Sequence, residues 1–262
     1  KTGLKVAVAF PDLYEIGMSN FAVKILYEEI NNVKEFVCER VFIPGSDISD
    51  FLKKNNSPLF SIESFYPVKN FDVLAVHVSY ELLYTNILLM LELSQIPLLS
   101  ENRDNSDPIV IAGGISVYNP MPLYKFIDVF YIGESEGRFI DILNYIKKNK
   151  KKSRIEIIKE LSNFDNLYIP AVHGNNPQIN IRKYFVRKLN SVKSPVKQII
   201  PHFGIVHDKV QIEVSRGCMR GCRFCYPAFV NRPYRERTTN KIINESKCIL
   251  ENSGYDELNY IS

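Results

Sequence analysis

Short apolar runs alternate with amphipathic stretches along the N-terminal part of the chain. Five runs are typical of strands buried on both faces, and they span residues 5–10, 36–43, 71–78, 108–112 and 128–132. The stretches between them predict helices at about 20–31, at about 81–95, and from the glycine-rich loop 133–137 to the lysine-rich run 147–152. This alternation predicts an α/β fold with a doubly wound, mostly parallel sheet covered on both faces.

Side chains that can cap a helix stand at the start of several predicted helices. Ser19 or Asn20 is a suitable N-cap for the first helix, and Ser79 for the second. The second helix is apolar on nearly every side, which predicts deep burial. A further helix is predicted over 153–162.

The loops that follow the predicted strands are rich in glycine and acidic residues. In parallel sheets of this kind, ligands bind beyond the carboxyl ends of the strands. Gly113, Gly114 and Gly133 fall in these loops. They would allow the backbone to approach a bulky ligand closely, or they would only permit tight turns between strand and helix. The sequence leaves both interpretations open and makes the three glycines candidate cofactor-binding residues.

The chain is predicted to contain two domains and a connection. The sheet domain covers residues 1–162, and an irregular, proline-containing segment over 163–206 carries short predicted strands at 167–169 and 182–189. Residues 207–262 then read as strand, cysteine-containing loop, helix and strand. Thr239 is a suitable helix cap, and Ile243 is expected on the inner face of that helix. This order is typical of the first unit of a parallel (β/α) barrel, which is predicted to be truncated here.

Composition narrows the class of protein further. Apolar residues make up 45% of the 262 residues, and the formal net charge is only +4, which favours no particular type of partner. No apolar run is long enough to cross a membrane, and five sparse cysteines predict a cytoplasmic, reducing location. The chain starts at Lys1 and stops at Ser262 inside an apolar run, which predicts a fragment of a longer protein.

The most informative chemistry is a run of three cysteines. Cys218, Cys222 and Cys225 are separated by three residues and then by two, and Phe224 precedes the last of them. Three thiolates at this spacing can bind three irons of a cubane cluster and leave the fourth iron open, unlike the ferredoxin run, in which further cysteines complete the ligation. The alternative is zinc, with Cys248 or a histidine as the fourth ligand. Cys38 lies in an apolar pattern and is expected to be an ordinary buried thiol.

This cysteine run, placed directly after a strand, resembles the signature of the radical S-adenosylmethionine superfamily. The preceding strand–helix pattern resembles the cobalamin-binding domain, of flavodoxin-like topology, that precedes the barrel in one branch of that superfamily. More narrowly, an uncharacterised bacterial family of this branch is similar in three stretches, Phe10-Pro-Asp-Leu-Tyr-Glu-Ile-Gly-Met-Ser-Asn20, Tyr80-Glu-Leu-Leu-Tyr-Thr-Asn86 and Arg216-Gly-Cys-Met-Arg-Gly-Cys-Arg-Phe-Cys225.

The resemblance implies a radical enzyme. Cys218, Cys222 and Cys225 would hold a 4Fe–4S cluster, whose open iron would bind S-adenosylmethionine and whose electron would cleave it to methionine and a 5′-deoxyadenosyl radical. Phe224 would pack near the adenine, or it would serve the core. An electron donor of flavodoxin or ferredoxin type is expected. The substrate is unknown, and methyl or methylthio transfer and rearrangement are all compatible with the resemblance.

Cobalamin is a second implied cofactor. Domains that ligate cobalt through the protein carry Asp-x-His-x-x-Gly after the first strand, whereas this chain has Tyr14 at the histidine position. Cobalamin would therefore bind without a protein ligand, or the site has been lost. An RNA-modifying methylthiotransferase is the alternative enzyme, although the N-terminal domain offers only Cys38 for a second cluster. The third class is a non-catalytic zinc or iron–sulfur binding module.

Overall fold

The structure, a computed structural model, describes residues 3–175 and 179–262. Residues 1–2, in the predicted sheet domain, and 176–178, in the predicted connection, lie outside the described residues. The strands are β1 (Leu4–Phe10), β2 (Phe36–Phe42), β3 (Val73–His77), β4 (Ile109–Gly113), β5 (Val129–Tyr131), β6 (Leu167–Tyr168), β7 (Val210–Glu213), β8 (Ser215–Arg216), β9 (Arg235–Glu236) and β10 (Leu258–Ile261).

The helices connect and cover these strands. They are α1 (Tyr14–Gly17), α2 (Phe21–Asn31), α3 (Ser46–Lys54), α4 (Tyr84–Leu93), α5 (Arg138–Lys148), α6 (Arg154–Glu160), α7 (Pro170–His173), α8 (Tyr226–Val230) and α9 (Thr239–Ser253). Among the described helices, none combines the length and the apolar character that a membrane span requires.

Six strands form one sheet in the order β2-β1-β3-β4-β5-β6. The first five are parallel, and β6 joins the edge antiparallel to β5. Strand β1 is central and almost wholly buried, as its Val-Ala-Val-Ala run requires of a strand with helices on both faces. The predicted doubly wound α/β sheet with flavodoxin-like strand order is therefore confirmed.

Some local predictions were wrong for identifiable reasons. Ser79 does not cap the second helix, because its hydroxyl accepts a hydrogen bond from Asn20 Nδ2 at 3.3 Å and a 3-10 turn precedes α4. The segment 182–189 is not a strand, and its Tyr184 forms only one bridge, with Gly133. Helix α3 was missed because its sequence is largely polar and only Leu52 is buried.

A carboxylate and two guanidinium groups are buried together at the amino ends of β4 and β5. The Asp128 side chain is 2% exposed, and its Oδ2 accepts the backbone N–H of Val110 at 2.7 Å. Arg103 Nη1 lies 3.1 Å from the same oxygen, and Arg154 Nη2 also donates to it. Two cations therefore depend on one buried anion in the sheet core.

The C-terminal part contains a parallel strand–helix–strand unit. Strands β7 and β10 pair in parallel, and α9 connects them and packs on them through Ile249. Gly254 ends α9 in the left-handed conformation, as glycine commonly does after a helix. Ile243, which we expected on the inner face, is 46% exposed because the helix turns that position toward solvent.

Candidate functional site

A cavity of about 340 Å³ lies at the carboxyl ends of β3, β4 and β5. Strand pairing places His77, Gly113 and Tyr131 side by side in one row of its floor. Helices α2 and α5 contribute apolar walls, which include Phe21, Ile25, Leu26 and Phe139. Because Gly113 has no side chain, the row has a gap between the imidazole and the phenol, and that gap belongs to the cavity.

The three candidate glycines all line this cavity. Gly114 has φ +114°, and a Cβ there would collide with the backbone of Val78. Gly133 has φ +126°, and a Cβ there would collide with the backbone of Tyr184. The close approach that these two glycines permit is therefore between segments of the chain itself, whereas Gly113 leaves open space.

His77 is a cavity residue to which the sequence analysis assigned no role. Its ring stacks on Phe10 with centroids 6.0 Å apart, and in the described part of the chain neither ring nitrogen has a hydrogen-bond partner. Burial lowers its pKa to about 4, so the imidazole is neutral at physiological pH. The only signal for His77 in the sequence was its place as a polar residue near the end of an apolar run that predicts a buried strand.

The Tyr14 side chain packs against other aromatic residues and does not line the cavity. Its ring contacts Phe42 and Phe203 at centroid distances of 5.3 and 4.4 Å, and its hydroxyl accepts the backbone N–H of His202 at 2.9 Å. The position that carries histidine in cobalt-ligating domains therefore anchors the segment that leads to β7.

The cysteine loop connects the two strands of a short hairpin. Strands β8 and β9 pair antiparallel, with Arg216 opposite Arg235, and all three cysteines lie in the loop between them. Cys218 and Cys225 are half-buried, Cys222 is exposed, and all three are free thiols. The backbone N–H of Arg220 donates to Cys218 Sγ at 3.3 Å, and that of Cys225 donates to the carbonyl of Cys222 at 3.1 Å.

The donor set of this loop is compatible with a cluster. Within residues 3–175 and 179–262, no three thiol, imidazole or carboxylate groups converge on a single ion position. In a cubane cluster each thiolate binds a separate iron, so the three thiolates need not share one ion. The N–H donor to Cys218 Sγ is a hydrogen bond of the type that tunes cluster sulfurs. Phe224 is 91% exposed and takes no part in the core.

Ion pairs join the sheet to the hairpin. Arg235 donates from Nη2 and Nη1 to the two carboxylate oxygens of Glu134 at 2.6 and 2.8 Å, and Arg216 Nη1 lies 3.1 Å from Glu134. Burial alone would raise the pKa of Glu134, but the bonds and charges of the two arginines outweigh burial and lower it. Arg216 also binds Glu136 and Glu213, at 2.5 and 2.6 Å. The network was not predictable from the sequence because Glu134 and Glu136 are 80 or more positions from the arginines that they bind.

Comparisons with known proteins agree with this architecture. The family model described as radical SAM proteins, N-terminal, matches residues 22–170. An uncharacterized protein of Methanocaldococcus jannaschii is 23% identical over 239 residues, which are 91% of this chain and 44% of the relative. The chain thus spans less than half the length of this curated relative.

Two solved structures of the radical S-adenosylmethionine methyltransferase TsrM from Kitasatospora setae share the fold. One, with tryptophan substrate and the SAM analog aza-SAM bound, gives a TM-score of 0.55 at 13% identity and covers 98% of this chain and 47% of that one. The other, with cobalamin and a [4Fe-4S] cluster bound, gives 0.53 at 12% identity and covers 99% and 49%. The family model covers more than half of the chain, so the chain belongs to the family of radical SAM proteins, whose N-terminal region it contains.

Proposed function

We propose that this protein is a radical S-adenosylmethionine enzyme whose cluster is held by Cys218, Cys222 and Cys225. The observation that carries the proposal is three free thiols in one loop at the radical spacing, in a chain of this family. When bound, a 4Fe–4S cluster with an open iron supplies the electron that cleaves S-adenosylmethionine to methionine and a 5′-deoxyadenosyl radical.

In this proposal, the cysteine loop supplies both the iron ligands and the positive charges that balance the cluster. The three thiolates ligate iron, and the N–H of Arg220 stabilises the charge on Cys218 Sγ. Arg220 and Arg223 are exposed on the loop and form no ion pair within the described residues, so they offset the negative charge of a cluster with bound thiolates. Arg216, Arg235 and Arg237 are paired with carboxylates and are not free to bind a substrate.

The cavity is our candidate for the cobalamin site. Its apolar walls, the gap at Gly113 and the neutral His77 suit a flat, aromatic part of a cofactor. Since Tyr14 is committed to packing, a corrinoid would bind without a ligand from that loop. TsrM, which has this fold, has been solved with cobalamin and a cluster bound, which favours a methyl transfer as the reaction.

An RNA-modifying methylthiotransferase is less well supported. Such enzymes bind a second cluster in the N-terminal domain, and Cys38 is the only cysteine available there. Cys38 is buried in the sheet core, and burial raises its pKa well above the usual value, which opposes iron binding. In the lysine-rich run, Lys147, Lys150 and Lys152 pair with Glu35, Asp72 and Glu160, which reduces the positive charge that the run offers to RNA.

The proposed activity can be tested on the full-length protein, reconstituted anaerobically with iron and sulfide. Incubation with S-adenosylmethionine and a strong reductant is expected to release 5′-deoxyadenosine. Stoichiometric zinc in place of iron in the protein as isolated without added metal, or no nucleoside at full iron load, would contradict the proposal.

Narrowing the cavity is expected to weaken cobalamin binding. His77→Phe replaces the imidazole with a larger apolar ring, and we expect at least about a tenfold loss of affinity for hydroxocobalamin, which corresponds to about 1.4 kcal/mol. Absorbance titration of the full-length protein measures this, and Tyr14→Phe is the matched control with unchanged affinity. Equal binding by the His77 variant would remove the cavity from consideration, and no binding by the unmodified protein would exclude cobalamin.

A further inference from the structure

The cysteine loop begins after β8 and ends before β9, and we call this pair of strands its neck. Two arginines face each other there. Arg216 and Arg235 are cross-strand partners on β8 and β9, and their side chains are 16% and 7% exposed. Like charges in such a pair repel each other, and the low exposure reduces screening by solvent. An anion between the two guanidinium groups therefore stabilises the closed neck.

Glu134 supplies that anion from the loop that follows β5. Its Oε2 lies 2.8 Å from Arg235 Nη1 and 3.1 Å from Arg216 Nη1, and its Oε1 lies 2.6 Å from Arg235 Nη2. One carboxylate thus bridges both arginines, and its fork-to-fork bonding with Arg235 fixes the direction of the hairpin as well as its charge.

Glu134 is itself held in place by its neighbours. The backbone N–H of Val186 donates to Glu134 Oε2 at 2.8 Å, and Arg235 Nη1 donates to the carbonyl of Val186 at 2.6 Å. The preceding Gly133 packs against the backbone of Tyr184, where no side chain would fit. Three segments distant in sequence therefore meet at this carboxylate, which lies in the wall of the cavity.

Cys218 follows Arg216 by two residues, with only Gly217 between them. Gly217 has φ +91°, and a Cβ there would lie 2.6 Å from the carbonyl oxygens of Asn231 and Pro233. The outgoing and returning strands of the loop are thus in contact directly beside the first cysteine. A displacement of the neck would therefore reach Cys218 through a single intervening residue, Gly217.

We propose that Glu134 is a positioning residue for the cluster, because it closes the neck of the cysteine loop. This inference rests on the proposed function, because it requires a cluster at the three cysteines. Without the carboxylate, the neck opens and the cluster ligands become heterogeneous. Arg216 stays bound to Glu136 and Glu213, but one negative charge near the cluster loop is lost, and that loss makes reduction easier.

The test uses Glu134→Gln in the full-length protein after anaerobic reconstitution. We expect at least about a twofold lower iron load, a broadened electron paramagnetic resonance signal of the reduced cluster, and a more positive midpoint potential. Glu160→Gln is the matched control, since Glu160 pairs with Lys152 and Tyr145 within the sheet domain and does not contact the hairpin. It should match the unmodified protein in all three measurements.

Glu134→Asp separates positioning from a general loss of folding. It keeps the charge on a shorter side chain, and we expect it to recover most of the iron load and of the signal shape. Glu134→Gln protein that fails to fold leaves the decision to Glu134→Asp. A folded Glu134→Asp protein with an intermediate signal supports the inference. A folded Glu134→Asp protein that is indistinguishable from the unmodified protein overturns it. Normal iron, signal and potential in folded Glu134→Gln also overturn it. An unmodified protein that binds no cluster would contradict the proposed function first.

Discussion

Replacing Cys222 by alanine in the full-length, reconstituted protein is expected to lower the release of 5′-deoxyadenosine from S-adenosylmethionine by at least about a thousandfold, equivalent to about 4 kcal/mol of lost barrier reduction. A cubane with one open iron is held by three thiolates, one on each of the other irons. With only two thiolates left, the cluster is not held in a fixed orientation toward the cosubstrate. Because the Cys222 side chain is exposed, the substitution should cost little folding stability.

Cys248→Ala is the matched control for this loss. Cys248 is a free, half-buried thiol on α9, outside the cysteine loop, so its replacement should leave nucleoside release within about twofold of the unmodified protein. Undiminished nucleoside from the Cys222 variant, measured by chromatography, would show that the loop does not hold the reactive cluster.

The largest expected loss of stability follows replacement of Asp128 by alanine. This change leaves the Arg103 and Arg154 guanidinium groups buried without their anion and removes the acceptor for the Val110 N–H. Breaking a buried pair by removing one partner costs about 3–5 kcal/mol. We expect a decrease of that size in the free energy of unfolding, which a urea titration followed by circular dichroism would measure.

Asp165→Ala is the matched control for Asp128. Asp165 pairs with Arg138 at 3.1 Å, but its side chain is 60% exposed, so solvent already screens the pair. Its loss should change the unfolding midpoint only slightly. Equal midpoints for the two variants would mean that the buried triad adds nothing to the stability of the sheet.

Sequence patterns predicted the sheet well because each buried strand is a local feature. The apolar runs correctly indicated β1 to β5, and Asn20 caps α2 as expected, accepting the N–H of Ala22 at 3.0 Å. Helix α3 escaped prediction because packing of one residue, Leu52, and not a broad apolar face, ties it to the core. Segment 182–189 was misread as a strand because its one bridge partner, Gly133, lies in a distant loop.

The candidate site could also be predicted only in part from the sequence. The cysteine spacing is encoded within eight residues, so the sequence could reveal it directly. Glu134 and Arg235 are 101 positions apart, and only the folded chain brings them together. His77 could not be recognised as a cavity residue because its place beside Gly113 depends on strand register. The sequence therefore indicated the proposed ligands but not the groups that surround them.

The most direct test of the cluster assignment is electron paramagnetic resonance of the reduced, reconstituted full-length protein, with and without S-adenosylmethionine, combined with iron and sulfide analysis. We expect about four irons and four sulfides per chain and a signal that changes when S-adenosylmethionine binds, because a cluster with three cysteine ligands leaves one iron open to the cosubstrate. An identical signal with and without S-adenosylmethionine, or no cluster after reconstitution, would contradict an open iron at Cys218, Cys222 and Cys225.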